Sequence, residues 1–136
     1  MSNNSKKDSI LFVDDDEISL IQIVSRFREI FGDRFEYIKA ENAEDALKYI
    51  KEDFQQKNTL PRLVVIDWVM PGKLGNQLIE EINKAYPDLP VILHSGFVDP
   101  ETAEIFKEKC NYITWLSKPW NGKKDLDIIE KAVMPK

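Results

Sequence analysis

Asp14 and Asp15 stand directly behind the apolar run Ile10–Val13, and Asp67 stands behind Leu63–Ile66. Ser95 follows Val91–His94, and Lys118 follows Ile113–Ser117. If these runs lie side by side, three carboxylates, one hydroxyl and one ammonium converge on a single pocket. Carboxylates about 4 Å apart repel by roughly 4 kcal/mol at an effective dielectric near 20. Three of them together therefore favour a bound cation or protonation. Magnesium prefers oxygen ligands and binds through one or two carboxylates plus phosphate. An aspartate can also act as a nucleophile and form an acyl phosphate, and a lysine is a compact point charge for a phosphoryl oxygen. Singly, each residue has a plainer reading. Asp67 would cap a turn, Asp14 to Glu17 would be a solvated cluster at a helix start, and Lys118 would be a surface lysine.

The elements that must position these residues alternate in type. Short apolar runs separated by helical patterns are what buried parallel strands look like, and in such sheets ligands collect at the carboxyl ends of the strands. Ser9–Val13 reads as the first strand. Asp16 caps the helix behind it, whose face is Leu20, Val24, Phe27 and Phe31, and Gly32 ends it. Phe35–Ala40 carries Glu36 and Lys39 and reads as a sheet edge. Asn42 caps a second helix with Ala43, Ala46, Leu47, Ile50 and Phe54 on its apolar side, and Gln55–Pro61 is a polar connector. Arg62–Asp67, the most apolar run, reads as the sheet centre. After the break at Met70-Pro71-Gly72 comes a helix carrying Leu78, Ile82 and Ala85. The fourth strand follows Pro90, and Asp99-Pro100 opens a fourth helix. Ile113–Ser117 is the fifth strand, at the other edge, and a last helix bears Leu126, Ile129 and Val133. Five such units imply a parallel sheet with helices on both faces.

Bulk properties fit one such domain. The chain has 136 residues, the size of a single domain. We expect a polar tail over 1–8, the domain over 9–133 and a short tail over 134–136. A lone cysteine, Cys110, forms no internal disulfide, so a reducing compartment and a cytoplasmic location are expected. The formal charge of -5 argues against direct binding to nucleic acid or an anionic membrane. No stretch is long and apolar enough to span a bilayer.

Ile10–Glu17, Asp67-Trp68-Val69-Met70-Pro71-Gly72, Ser95-Gly96 and Lys118-Pro119-Trp120 together resemble the receiver domain of two-component response regulators. The likeness runs from about Ser9 to Val133. It implies a flavodoxin-like, doubly wound α/β fold: five parallel strands in the order 2-1-3-4-5 with five helices. It also implies that Asp67 accepts a phosphoryl group, with Mg2+ held by Asp15, Asp67 and the backbone carbonyl of Val69, and by Asp14 through water. Ser95, beside Gly96, is implied as the switch hydroxyl that bonds a phosphoryl oxygen. Pro119 is implied as a cis proline aiming Lys118, and Trp115 as the aromatic that turns inward. Trp115 also reads plainly as a half-buried edge-strand tryptophan.

By the same resemblance the donor is a sensor histidine kinase or a phosphotransfer protein. The surface of the fourth helix, fifth strand and fifth helix would then bind a partner or a second copy of the chain. The stretch Trp115 to Trp120 is also similar to receivers joined to cyclic-di-GMP phosphodiesterase domains. Val69 and Phe97 stand two residues after the acceptor and the switch hydroxyl, where fast-cycling receivers often carry polar groups. Both are apolar here, so a long-lived phosphoryl state is expected. His94 reads as packing at a strand end. No enzymatic activity beyond self-phosphorylation and self-dephosphorylation is expected. Two other readings stand beside this one: a magnesium-dependent phosphohydrolase with an aspartyl nucleophile, and a receiver that is never phosphorylated and serves interaction alone.

Overall fold

The protein is described from a computed structural model. It covers residues 8–57, 59–67, 75–95, 113–117, 127 and 129–131, with side chains over 8–56, 59–66, 77–94, 127 and 129–131. Strand β1 (Asp8–Val13) leads to helix α1 (Glu17–Phe31), a 3-10 turn (Gly32–Arg34) and β2 (Phe35–Ala40). Helix α2 (Ala43–Lys57), β3 (Leu63–Asp67), α3 (Gly75–Ala85), β4 (Val91–Ser95) and β5 (Ile113–Ser117) follow. Residues 127 and 129–131 are helical, and the helix expected from Asp99 lies outside the described residues.

The strands form one parallel sheet in the order β2-β1-β3-β4-β5. This is the order that the family resemblance implies, with the polar β2 at an edge and β3 at the centre. The chain enters at β1, winds outward to β2 and returns across β1 to β3. The topological switch point therefore lies at the carboxyl ends of β1 and β3.

Strand alternation divides the core into two layers. Leu11, Val13, Val64, Ile66, Val91 and Leu93 face α2 and α3, where they meet Ala46, Ile50, Leu78, Ile79 and Ile82. Ile10, Phe12, Leu63, Val65 and Ile92 face α1 and pack with Leu20, Ile23, Val24, Phe27, Phe31 and Ile129. Phe12 is completely buried, and its ring meets Phe27 at 5.0 Å, nearly perpendicular. Such an edge-to-face pair is worth about 0.5–1.5 kcal/mol beyond area burial.

The helix ends follow the expected residues. At α1, Gly32 has φ +58° and its N–H donates to the Arg28 carbonyl, a conformation that favours glycine. The Tyr37 hydroxyl donates to the Gly32 carbonyl at 2.7 Å, and the Arg28 guanidinium lies 4.8 Å from the Tyr37 ring centre. Burial raises the Tyr37 hydroxyl above its ordinary value of 10.0, with the Arg28 charge pulling the other way. At α2, the Asn42 side-chain Oδ1 accepts from the Asp45 N–H at 2.7 Å and its Nδ2 donates to the Asp45 carboxylate at 3.1 Å. This reciprocal pair satisfies an otherwise unpaired helix-start donor.

Several boundaries and faces differ from expectation. β1 starts one residue early, because Asp8 pairs with Phe35 and its carboxylate meets Arg62. β3 starts one residue late, at Leu63, and Gln55–Lys57 belong to α2 instead of the connector. Phe54 is not on the buried face of α2. It is 41% exposed, with its ring against Tyr86 at 6.0 Å. Ala85 is exposed at the last position of α3, and Ile79 takes the buried place instead.

Candidate functional site

Among the described residues, Asp14 is the one expected ligand that the fold buries, at 5% exposure. Its N–H donates to the Ala40 carbonyl at 3.1 Å, carrying the β1–β2 ladder one residue past the last strand position. Its carboxylate Oδ1 accepts from the Asp16 N–H at 2.9 Å. Asp15 lies in the bend that follows, and its side chain is exposed. Asp16 then caps α1: Oδ1 accepts from the Ile18 N–H at 3.3 Å and Oδ2 from the Ser19 hydroxyl at 2.8 Å. The sequence marks Asp16 as a cap, but its hold on Asp14 went unread. The available signal is an aspartate two residues ahead of an N-cap, the spacing of a local carboxylate-to-backbone turn.

Register defines the neighbours of this turn. Phe12 pairs with Val65 and Val13 with Ile66, so Asp14 and Asp67 each lie two residues beyond the same pair. Adjacent strands run about 4.8 Å apart, which brings the main chain at position 67 beside Asp14. Asp67 in turn pairs with His94, and Ser95, the next residue, pairs with Ser117. Trp115 pairs with Leu93, farther from the rim. Four sequence-distant positions, 14, 67, 95 and 117, thus share one rim of the sheet, with Lys118 next in the chain after the last. The side chains of Asp67, Ser95 and Trp115, and residues Val69, Gly96, Phe97, Lys118 and Pro119, lie outside the described residues. His94 is half-buried, with its Nε2 shut off from solvent.

Among the described side chains, no three His, Cys, Asp or Glu residues gather as a metal site. Asp14 and Asp15 are the described part of the expected ligand set, and their chemistry fits a hard, oxygen-seeking cation. A carboxylate buried as deeply as Asp14 is costly unless it is hydrogen-bonded, paired with a charge or bound to a metal. No described helix is long and apolar enough to cross a membrane.

The chain matches the family model described as the response regulator receiver domain over residues 10–130. It is 30% identical over 126 residues to the response regulator protein FleR of Pseudomonas aeruginosa, covering 87% of this chain and 24% of that protein. Among solved structures, the receiver domain of NtrX from Brucella abortus superposes with a TM-score of 0.72 at 31% identity, covering 92% of this chain and 98% of the other. A response regulator receiver domain from Clostridium thermocellum gives 0.71 at 28% identity, covering 93% and 94%. The chain spans between 17% and 38% of the length of the curated relatives it matches.

Proposed function

This chain belongs to the response regulator receiver family, and on that premise we propose that it is switched by a phosphoryl group taken up on Asp67. Receiver domains are the signalling switches of two-component systems and as a family bind Mg2+. The observation that carries the site assignment is the shared register of Asp14 and Asp67 beyond the Phe12–Val65 pair, at the switch point of the sheet. A carboxylate oxygen of Asp67 attacks phosphorus in the donor. The bond from phosphorus to the donor nitrogen or oxygen breaks, and the electron pair leaves with the donor. Asp15, Asp67 and the Val69 carbonyl would hold Mg2+, and Asp14 would reach it through water. When bound, the cation offsets the charge that accumulates between Asp67 and the incoming group.

Lys118 pairs with a second phosphoryl oxygen, and Ser95, next to Gly96, donates a hydrogen bond to a third. Phosphorylation adds a charge of about -1.5 to -2 at pH 7. A shift between two packings needs only a few kcal/mol of differential interaction, which such a group can supply. Trp115 and the surface of the fourth helix, β5 and the fifth helix carry that change to a partner or a second copy. The donor is a sensor histidine kinase or a phosphotransfer protein in the cytoplasm. The chain's own chemistry is limited to gaining and losing its phosphoryl group.

The direct experiment is intact mass after incubation with acetyl phosphate. One phosphoryl group per chain, gained only when Mg2+ is present, is expected. No gain under any condition would favour an interaction-only receiver, and steady turnover of a phosphomonoester would favour a phosphohydrolase. The apolar Val69 and Phe97 give attacking water no orienting partner, so the phosphorylated chain should be long-lived. Val69→Asn combined with Phe97→Glu should shorten its lifetime by roughly tenfold or more. Following loss of the added mass with time checks this, and an unchanged lifetime refutes it.

A further inference from the structure

We propose that Asp16 is a positioning residue, which fixes the two acidic side chains ahead of it for the cation; this rests on the magnesium site proposed above. The argument comes from five linked hydrogen bonds. Asp14 is tied to the sheet by its N–H bond to Ala40 and to α1 by the Asp16 N–H on its Oδ1. That N–H can stay in place only if Asp16 does. Asp16 is held by its own cap bonds to Ile18 and Ser19 and by the Leu20 N–H on its carbonyl at 3.0 Å. Asp15 is thus an exposed residue strung between an anchor in the sheet and an anchor in the helix.

Cutting the cap frays the first turn of α1, so Asp14 loses the Asp16 N–H that orients its Oδ1 and Asp15 loses one of its two anchors. Partners that orient metal ligands typically contribute 10–100-fold to affinity. Coupling of this kind is reciprocal: if the cap orders the carboxylates for the cation, the cation must order the cap. The competing account is charge alone, in which Asp16 helps only as one more nearby anion.

Calorimetric titration of the full chain with Mg2+ separates the two. Asp16→Ala should weaken binding by roughly tenfold, and Ser19→Ala should weaken it less. Asp16→Asn removes the charge, but its Oδ1 can accept from Ile18 and its amide can donate to Ser19, so it should recover most of the affinity. In the wild type, Mg2+ should slow hydrogen exchange at the Ile18 amide, and Asp16→Ala should abolish that slowing. Equal weakening in the Asn and Ala variants would assign the effect to charge and overturn the proposal. Wild-type affinity in Asp16→Ala would overturn it as well, while leaving the magnesium site intact. A wild-type chain that binds no Mg2+ would remove both.

Discussion

Asp67→Asn should abolish phosphoryl uptake from acetyl phosphate while leaving the fold intact. The amide oxygen that replaces the carboxylate is uncharged and a poor nucleophile, so no acyl phosphate can form. The expected loss is complete, because Asp14 and Asp15 have other duties. Asp14 is buried and bonded to the Asp16 backbone, and Asp15 sits in an exposed bend. In the proposed pocket, removing one of three neighbouring carboxylates also relieves repulsion. The metal-free variant should therefore melt no lower than the wild type. Intact mass and thermal denaturation check both statements. A phosphorylated Asp67→Asn chain would move the acceptor to another residue and sink the assignment.

Phe12→Ala should produce the largest loss of stability, about 3–5 kcal/mol. Phe12 is fully buried in β1 between two neighbouring strands. Its ring contacts Phe27 at 5.0 Å and Tyr37 at 6.3 Å, so truncation opens a cavity between the sheet and α1. Whole domains are stable by only about 5–15 kcal/mol, so such a loss leaves a marginal protein. Because Phe12 lies two residues before Asp14, the damage should reach the site as well, as weaker Mg2+ binding below the melting transition. Urea denaturation measures the first effect. A loss below about 1 kcal/mol would mean that the layer facing α1 collapses to fill the space.

Most of the fold was legible because its signals are local. The spacing of Leu20, Val24, Phe27 and Phe31 marks the buried face of α1, and all four are buried. Ile18 and Ile21, apolar but off that spacing, are 65% and 49% exposed. The polar residues Glu36 and Lys39 marked β2 as an edge, and it is one. Periodicity failed at helix ends, where the partner surface stops. Ala85 keeps the spacing of α3 but falls at its last residue, while Leu89, beyond the helix, is buried. Phe54 fails likewise near the end of α2, where it meets Tyr86 and solvent instead of the sheet. Ile23 and Ile79 were missed because a buried helix stripe is wider than one residue per turn.

The sequence proposes a candidate site through residue types behind apolar runs, and the register sets positions 14, 67 and 95 at one rim of the sheet. Its local wiring was not legible. The sequence marks Asp16 as the helix cap, but nothing in Asp14-Asp15 says which carboxylate is buried and which is exposed. Backbone geometry decides that: Asp14 still follows the sheet through Ala40, whereas Asp16 already belongs to α1.

The strand order also dictates how the molecule can come into being on the ribosome. β1 is made first, yet one of its two neighbours is β3, which emerges only after β2 and α2. Synthesis adds about 5–20 residues per second, so for seconds one edge of β1 in the nascent chain leaves its main-chain N–H and C=O groups without their strand partner. Until β3 arrives to pair with β1, the main chain at position 67 is not beside Asp14, and the pocket proposed above cannot assemble.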